Sequence, residues 1–186
     1  MNLTSRCCAA LAAALLSACA GVAPRAVDTA PSFELQGRIV VRYQERGFSS
    51  SLRWKQAGGR DEIWLTAPLG QTIAYLEADA GGATLTASDQ KQYRASSIES
   101  LTRSAFGWRF PVDGLRYWVF GEAAPGTAAV VIERDSARRI ARLTHDDWLI
   151  AFNYAAADAP RPSRLDIVGI DAEIRLAIDS LSRDAP

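Results

Sequence analysis

Residues 33–43 read FELQGRIVVRY and alternate along their length. Phe33, Leu35, Gly37, Ile39, Val41 and Tyr43 fall on one side, and Glu34, Gln36, Arg38 and Arg42 on the other, with Val40 the exception. A period of two places successive side chains on opposite faces of an extended chain, so this segment predicts a half-buried strand. The same reading continues downstream. Gln44-Glu45-Arg46-Gly47 turns the chain, and Phe48, Ser50, Leu52 and Trp54 then share a face. Ala57-Gly58-Gly59-Arg60 turns it again before a strand at 61–66. Pro68-Leu69-Gly70 interrupts, 71–79 run extended, and further strands are predicted at 83–87 and 90–94. Short loops between successive strands imply antiparallel neighbours.

The period then changes. Ser96-x-x-Glu99 has the form of a capping box, and Ile98, Leu101, Ala105 and Phe106 follow at helical spacing until Gly107. Pro111 stands where a second helix can begin, with Val112, Leu115, Trp118 and Val119 on one stripe and Gly121 at its end. Extended segments resume at 128–134, 138–144 and 147–154. After the proline-rich loop 155–163, Leu165 and Ile167 mark one strand, and Ile174, Leu176 and Ile178 the last. The count is about ten or eleven strands with two helices between them: a mainly β fold, whose large antiparallel sheet must curl or close. Its inward side is predicted to carry Ile39, Val41, Leu52, Trp54, Ile63, Leu65 and Ile73, faced by Leu101, Phe106, Leu115, Trp118 and Val119 of the helices. Such a set can fill a core or line a cavity. The five tryptophans are read first as packing groups.

The opening of the chain is of a different kind. One charge, Arg6, precedes an apolar run from Cys7 to Leu16, too short to cross about 30 Å of hydrocarbon as a helix. It has the length of a signal-peptide core, and the small residues Ser17 and Ala18 precede Cys19. Residues 1–18 are therefore expected to be removed. Cys7 and Cys8 leave with them, so the processed chain keeps Cys19 alone and forms no internal disulfide. Residues 19–32 read as a lipidated N-terminus and flexible tether, and 33–186 as one domain. Loss of Arg6 leaves 20 basic against 21 acidic residues, a balance that gives no electrostatic reason for a nucleic-acid partner.

Leu16-Ser17-Ala18-Cys19 resembles the lipobox of bacterial lipoproteins, which implies a diacylglycerol and a further acyl chain on Cys19. Ala20 in place of Asp implies sorting to the outer membrane. Three further segments together resemble the outer-membrane lipoprotein receptor family LolB: Gly37-Arg38-Ile39 through Phe48 and Leu52-Arg53-Trp54; Leu65-Thr66-Ala67-Pro68-Leu69-Gly70-Gln71-Thr72; and Leu115-Arg116-Tyr117-Trp118-Val119-Phe120-Gly121 with Pro125-Gly126. The resemblance implies an incomplete antiparallel β-barrel with helices forming a lid over an apolar cavity. It also implies a non-enzymatic monomer with no cofactor. Such a protein takes lipoproteins from the periplasmic carrier LolA and places their acyl chains in outer-membrane lipid without nucleotide. The family's exposed functional leucine falls on Leu69. The chain departs from some relatives in Ala67, where they have Asn, and in a longer linker around Glu122-Ala123-Ala124.

Other readings stay open at this level. A packed barrel without an acyl-chain ligand would make a structural or assembly lipoprotein. His145-Asp146-Asp147 is the one cluster suggestive of hydrolysis or metal binding, yet no G-x-S-x-G elbow accompanies it, and it reads first as a polar turn. Arg38, Arg42 and Arg53 fit a solvated sheet face, or a surface for acidic groups of a carrier.

Overall fold

The computed structural model describes residues 31–126 and 129–183. The expected signal peptide, Cys19 and most of the expected tether lie outside them. Six strands come first: β1 (Phe33–Tyr43), β2 (Arg46–Ala57), β3 (Arg60–Thr66), β4 (Thr72–Asp79), β5 (Gly82–Ala87) and β6 (Gln92–Ala95). Two helices follow, α1 (Ile98–Phe106) and α2 (Val112–Trp118). Five strands complete the domain: β7 (Val130–Arg134), β8 (Ile140–His145), β9 (Trp148–Asn153), β10 (Arg164–Val168) and β11 (Glu173–Arg183).

All strands belong to one open antiparallel sheet, ordered β6-β5-β4-β3-β2-β1-β11-β10-β9-β8-β7. Each arm is a meander, and the arms join where β1 pairs with β11, from Phe33 against Arg183 to Arg42 against Glu173. The helices connect the two free edges, β6 and β7. Inward residues of both arms and both helices merge into a single apolar cluster, so the sheet curls around the helices rather than lying flat.

Alternation carries through to burial. In β1, Phe33, Leu35, Ile39 and Val41 are buried.

 The outward set of that strand, Gln36, Arg38, Val40 and Arg42, is exposed to solvent. β2 repeats the pattern with Leu52 and Trp54 inside, and β9 with Trp148, Ile150 and Phe152. The helix start differs by one residue from the expected box. Ser97, not Ser96, caps α1: its hydroxyl accepts the Ser100 N–H, and the Ser100 hydroxyl accepts the Ser97 N–H. The box needs only an oxygen at its fourth position, and Ser100 supplies it, which leaves Glu99 free in the first turn at the positive end of the helix.

The pairing registers sort the connections between two rims. The β1–β2, β3–β4, β5–β6, β8–β9 and β10–β11 turns share one, the upper rim. Phe33, where the domain begins, lies at the opposite, lower rim, against Gln56 and Arg183.

Candidate functional site

The inner face of the sheet holds most of the residues assigned to it. Ile39, Val41, Leu52, Trp54, Ile63 and Leu65 are buried, as are Leu101, Leu115, Trp118 and Val119. Phe106 is half-buried at the edge of the cluster. Ile73 differs: it is 39% exposed. The β3–β4 register shifts between Leu65, opposite Ala74, and Thr66, opposite Thr72, so Ile73 is the extra residue of a bulge. Simple alternation across a bulge assigns the wrong face. Ala74 and Leu76 take the inward positions on β4.

The buried apolar side chains of sheet and helices pack against one another as one cluster. An apolar void of about 10 Å³ remains between Ile39, Ile63 and Leu65 on the sheet and Phe106, Trp108 and Phe110 beside the helices, roughly the room of one water. Aromatic rings pack there in series. Trp108 lies 5.9 Å from Phe48, 6.4 Å from Phe106 and 6.1 Å from Phe110, whose ring is 6.4 Å from Trp54. Trp108 and Phe110 come from the link between the helices. Their alternation about Arg109, just before Pro111, was the available signal for an inward-facing linker. Phe48 and Leu65 sit near the upper rim, so this seam of the core runs toward it.

One charged pair fastens α2 to the sheet. Asp61 lies on the inward parity of β3 with Ile63 and Leu65, and its exposure is 0%. Its carboxylate accepts a 2.9 Å hydrogen bond from Trp54 Nε1 and is met by the Arg116 guanidinium from α2. Arg116 also pairs with Asp113 at 3.2 Å. A buried carboxylate is stable only with such partners, because desolvation of an unpaired charge costs several kcal/mol. A carboxylate on the apolar parity of a strand was the legible sign of this pair. Its partner, on a helix far along the chain, was not. Nearby, burial and then the charge of Asp113 hold the Glu99 carboxyl above its ordinary range, with Arg109 only partly offsetting them.

Leu69 stands apart from the core. It is 91% exposed at the tip of the β3–β4 connection. The tip is a closed turn: the Gly70 N–H donates to Ala67 O at 2.8 Å, and the Ala67 N–H to Gln71 O at 2.8 Å. Gly70 has φ +83°, a conformation that other residues reach only at a cost, while Pro68 fixes the entry. A leucine held out in this way forgoes about 1.5–3 kcal/mol of burial.

The remaining candidates fall into place as structure. His145 ends β8 and is buried with its ring 5.5 Å from Trp118, while Asp146 and Asp147 form the following turn. Among the described residues, no cluster of three or more His, Cys, Asp or Glu side chains is placed to hold a metal ion. Arg38 pairs with Asp179 at 3.1 Å and Arg53 with Glu34 at 2.9 Å on the outer face, and Arg42 is exposed there. Exposed pairs of this kind contribute little to stability.

With this geometry in view, a family model described as outer membrane lipoprotein LolB matches residues 31–180. The chain belongs to the LolB family. Outer-membrane lipoprotein LolB of Thiobacillus denitrificans is 38% identical over 170 residues, covering 89% of this chain and 90% of that one. The LolB of Azoarcus sp. strain BH72 is 36% identical over 178 residues, covering 92% and 91%. The LolB of Nitrosomonas europaea is 36% identical over 151 residues, covering 79% and 71%. Among solved structures, a domain assigned to outer membrane lipoprotein sorting from Vibrio parahaemolyticus shares the fold, with a TM-score of 0.50, 12% identity, and coverage of 85% of this chain and 87% of that one.

Proposed function

We propose that this LolB-family chain is the outer-membrane acceptor of lipoproteins. It takes cargo from a periplasmic carrier of the LolA type, shelters the acyl chains against the inner face of the sheet, and delivers them to the membrane past Leu69. Cys19 carries the lipid anchor after removal of residues 1–18, and no covalent chemistry or nucleotide is used. The observation that carries the reading is Leu69: an apolar side chain, 91% exposed, on a closed turn of the rim toward which the aromatic seam of the core runs.

The physics is that of a solvent exchange. Acyl chains cannot cross water unprotected, since each buried methylene is worth about 0.8 kcal/mol. An acceptor with a better apolar site than the donor takes the cargo downhill, and the bilayer takes it further. The packed interior then has to open, and the helices are the covering elements able to part from the sheet. A second reading has its own support. The same packed interior is what a structural or assembly lipoprotein with no acyl ligand would show.

The test is transfer. A LolA-type carrier loaded with a lipoprotein is mixed with residues 20–186 without nucleotide, and the cargo is followed by co-purification. Movement of cargo to this domain is the expected result. Retention on a carrier that supplies a matched acceptor normally would sink the acceptor role and leave the packed-barrel reading.

A further inference from the structure

After Leu69, the most exposed large apolar side chain among the described residues is Ile170, at 84%; Val130 follows at 58%. Ile170 lies in the β10–β11 turn, on the same rim as Leu69. Strand order places four inter-strand spacings between the two tips, about 19 Å along the sheet. Val168 and Leu149, a cross-strand pair on the outer face directly behind Ile170, are 46% and 40% exposed.

The turn that presents Ile170 is pinned from behind. The Gly169 N–H donates to Ala172 O at 2.9 Å. A side chain at Gly169 would meet the Trp148 ring at 2.4 Å, so glycine is what lets that ring pack against the turn. Asp171 is held by Arg109 at 3.2 Å, and the same guanidinium reaches Asp147 at 3.2 Å and lies 5.3 Å from the Trp148 ring. Ile170 is therefore displayed on a fixed turn, as Leu69 is, and the adjacent carboxylates are matched by a cation.

We propose that Ile170, with Val168 and Leu149, is a second membrane-contacting tip, so that the domain meets the bilayer at two apolar points of one rim. This rests on the reading of Leu69 as membrane-facing. The occupant is a lipid surface for two reasons. Three side chains are far too few for a stable protein interface, which needs about 800 Å² from each partner. The chain preceding the domain also permits the pose. It joins at Phe33 on the lower rim, and the 13 residues from 20 to 32 reach at most about 45 Å from an anchor at Cys19. The 11 residues of β1 rise about 37 Å, so the upper rim can face the membrane that holds the anchor.

The experiment uses the full lipidated protein in vesicles of phosphatidylethanolamine and phosphatidylglycerol. On the anchoring proposed above, the thiol of Cys19 is acylated, so a single introduced cysteine takes an environment-sensitive fluorophore alone. Leu69→Cys, Ile170→Cys and, on the opposite rim, the exposed position Asp158→Cys are compared for quenching by brominated lipid. Quenching at 69 and 170 but not at 158 is the expected result. Quenching at 69 with position 170 behaving like 158 overturns the second tip and leaves the first. Quenching at neither overturns the membrane-facing rim itself, and equal quenching at all three overturns the two-point pose. In an insertion assay, Ile170→Asp is expected to slow delivery several-fold and Ile170→Leu to preserve it.

Discussion

Leu115 and Leu69 are the same side chain in opposite surroundings. Leu115, on α2, has no exposed surface and belongs to the continuous core between the sheet and the helices. Leu69 is 91% exposed on a turn closed by its own backbone. Inside, apolar burial and one buried ion pair hold the helices against the sheet. At the rim, hydrogen-bonded turns hold apolar groups away from the core. The difference teaches that this fold separates two demands. Residues that stabilise the closed domain are not those offered to the outside, so mutation should divide them cleanly.

The largest expected effect is at the buried pair. Arg116→Met leaves the Asp61 carboxylate in the interior with the Trp54 indole N–H donating to it but no cation, and breaking a buried pair from one side costs about 3–5 kcal/mol. Asp61→Asn should cost less, because Arg116 keeps Asp113 and access to water. Denaturant melts of the two variants and their double mutant measure the coupling. Equal, small losses in all three would show that α2 is not fastened there. If closure of the helices limits entry of acyl chains, Arg116→Met should also take up an acyl-mimicking dye more readily than the parent.

Leu115→Ala comes next, at about 2–5 kcal/mol, the usual range for deleting a buried leucine side chain. Urea unfolding is the measurement. A loss under 1 kcal/mol would mean that the inner face tolerates a void, and would favour an interior that already loosens to admit a ligand.

Much of this comparison was legible from residue order, for physical reasons that differ by place. Alternation in β1 and β2 reported faces directly, because each strand buries one side. Leu69 was legible because Pro and Gly on either side make a turn, and turns lie at the surface. Ile73 was misassigned because a bulge breaks parity without leaving a mark in composition. The α1 cap was placed one residue early because Ser96 and Ser97 are chemically equivalent, and the choice is set by where β6 releases the chain after Ala95. His145 was read as part of a polar turn, yet its ring turns inward to Trp118, a contact between distant segments that local pattern does not encode. The Asp61–Arg116 pair was hidden for the same reason.

The smallest expected change in stability is at Leu69, and it is the most informative. Leu69→Glu removes no core contact, and the backbone hydrogen bonds that close its turn do not involve the side chain. Substitutions at such surface positions usually stay within about 0.5 kcal/mol. The melt should therefore match the parent, while delivery of acyl chains to vesicles falls sharply, because a carboxylate resists entry into hydrocarbon. A variant that inserts cargo normally would remove Leu69 from the mechanism. A variant that unfolds would show instead that the tip is part of the core, and would erase the contrast with Leu115. A stable variant that accepts cargo from the carrier but fails to release it would separate acceptance by the inner face from delivery at the rim.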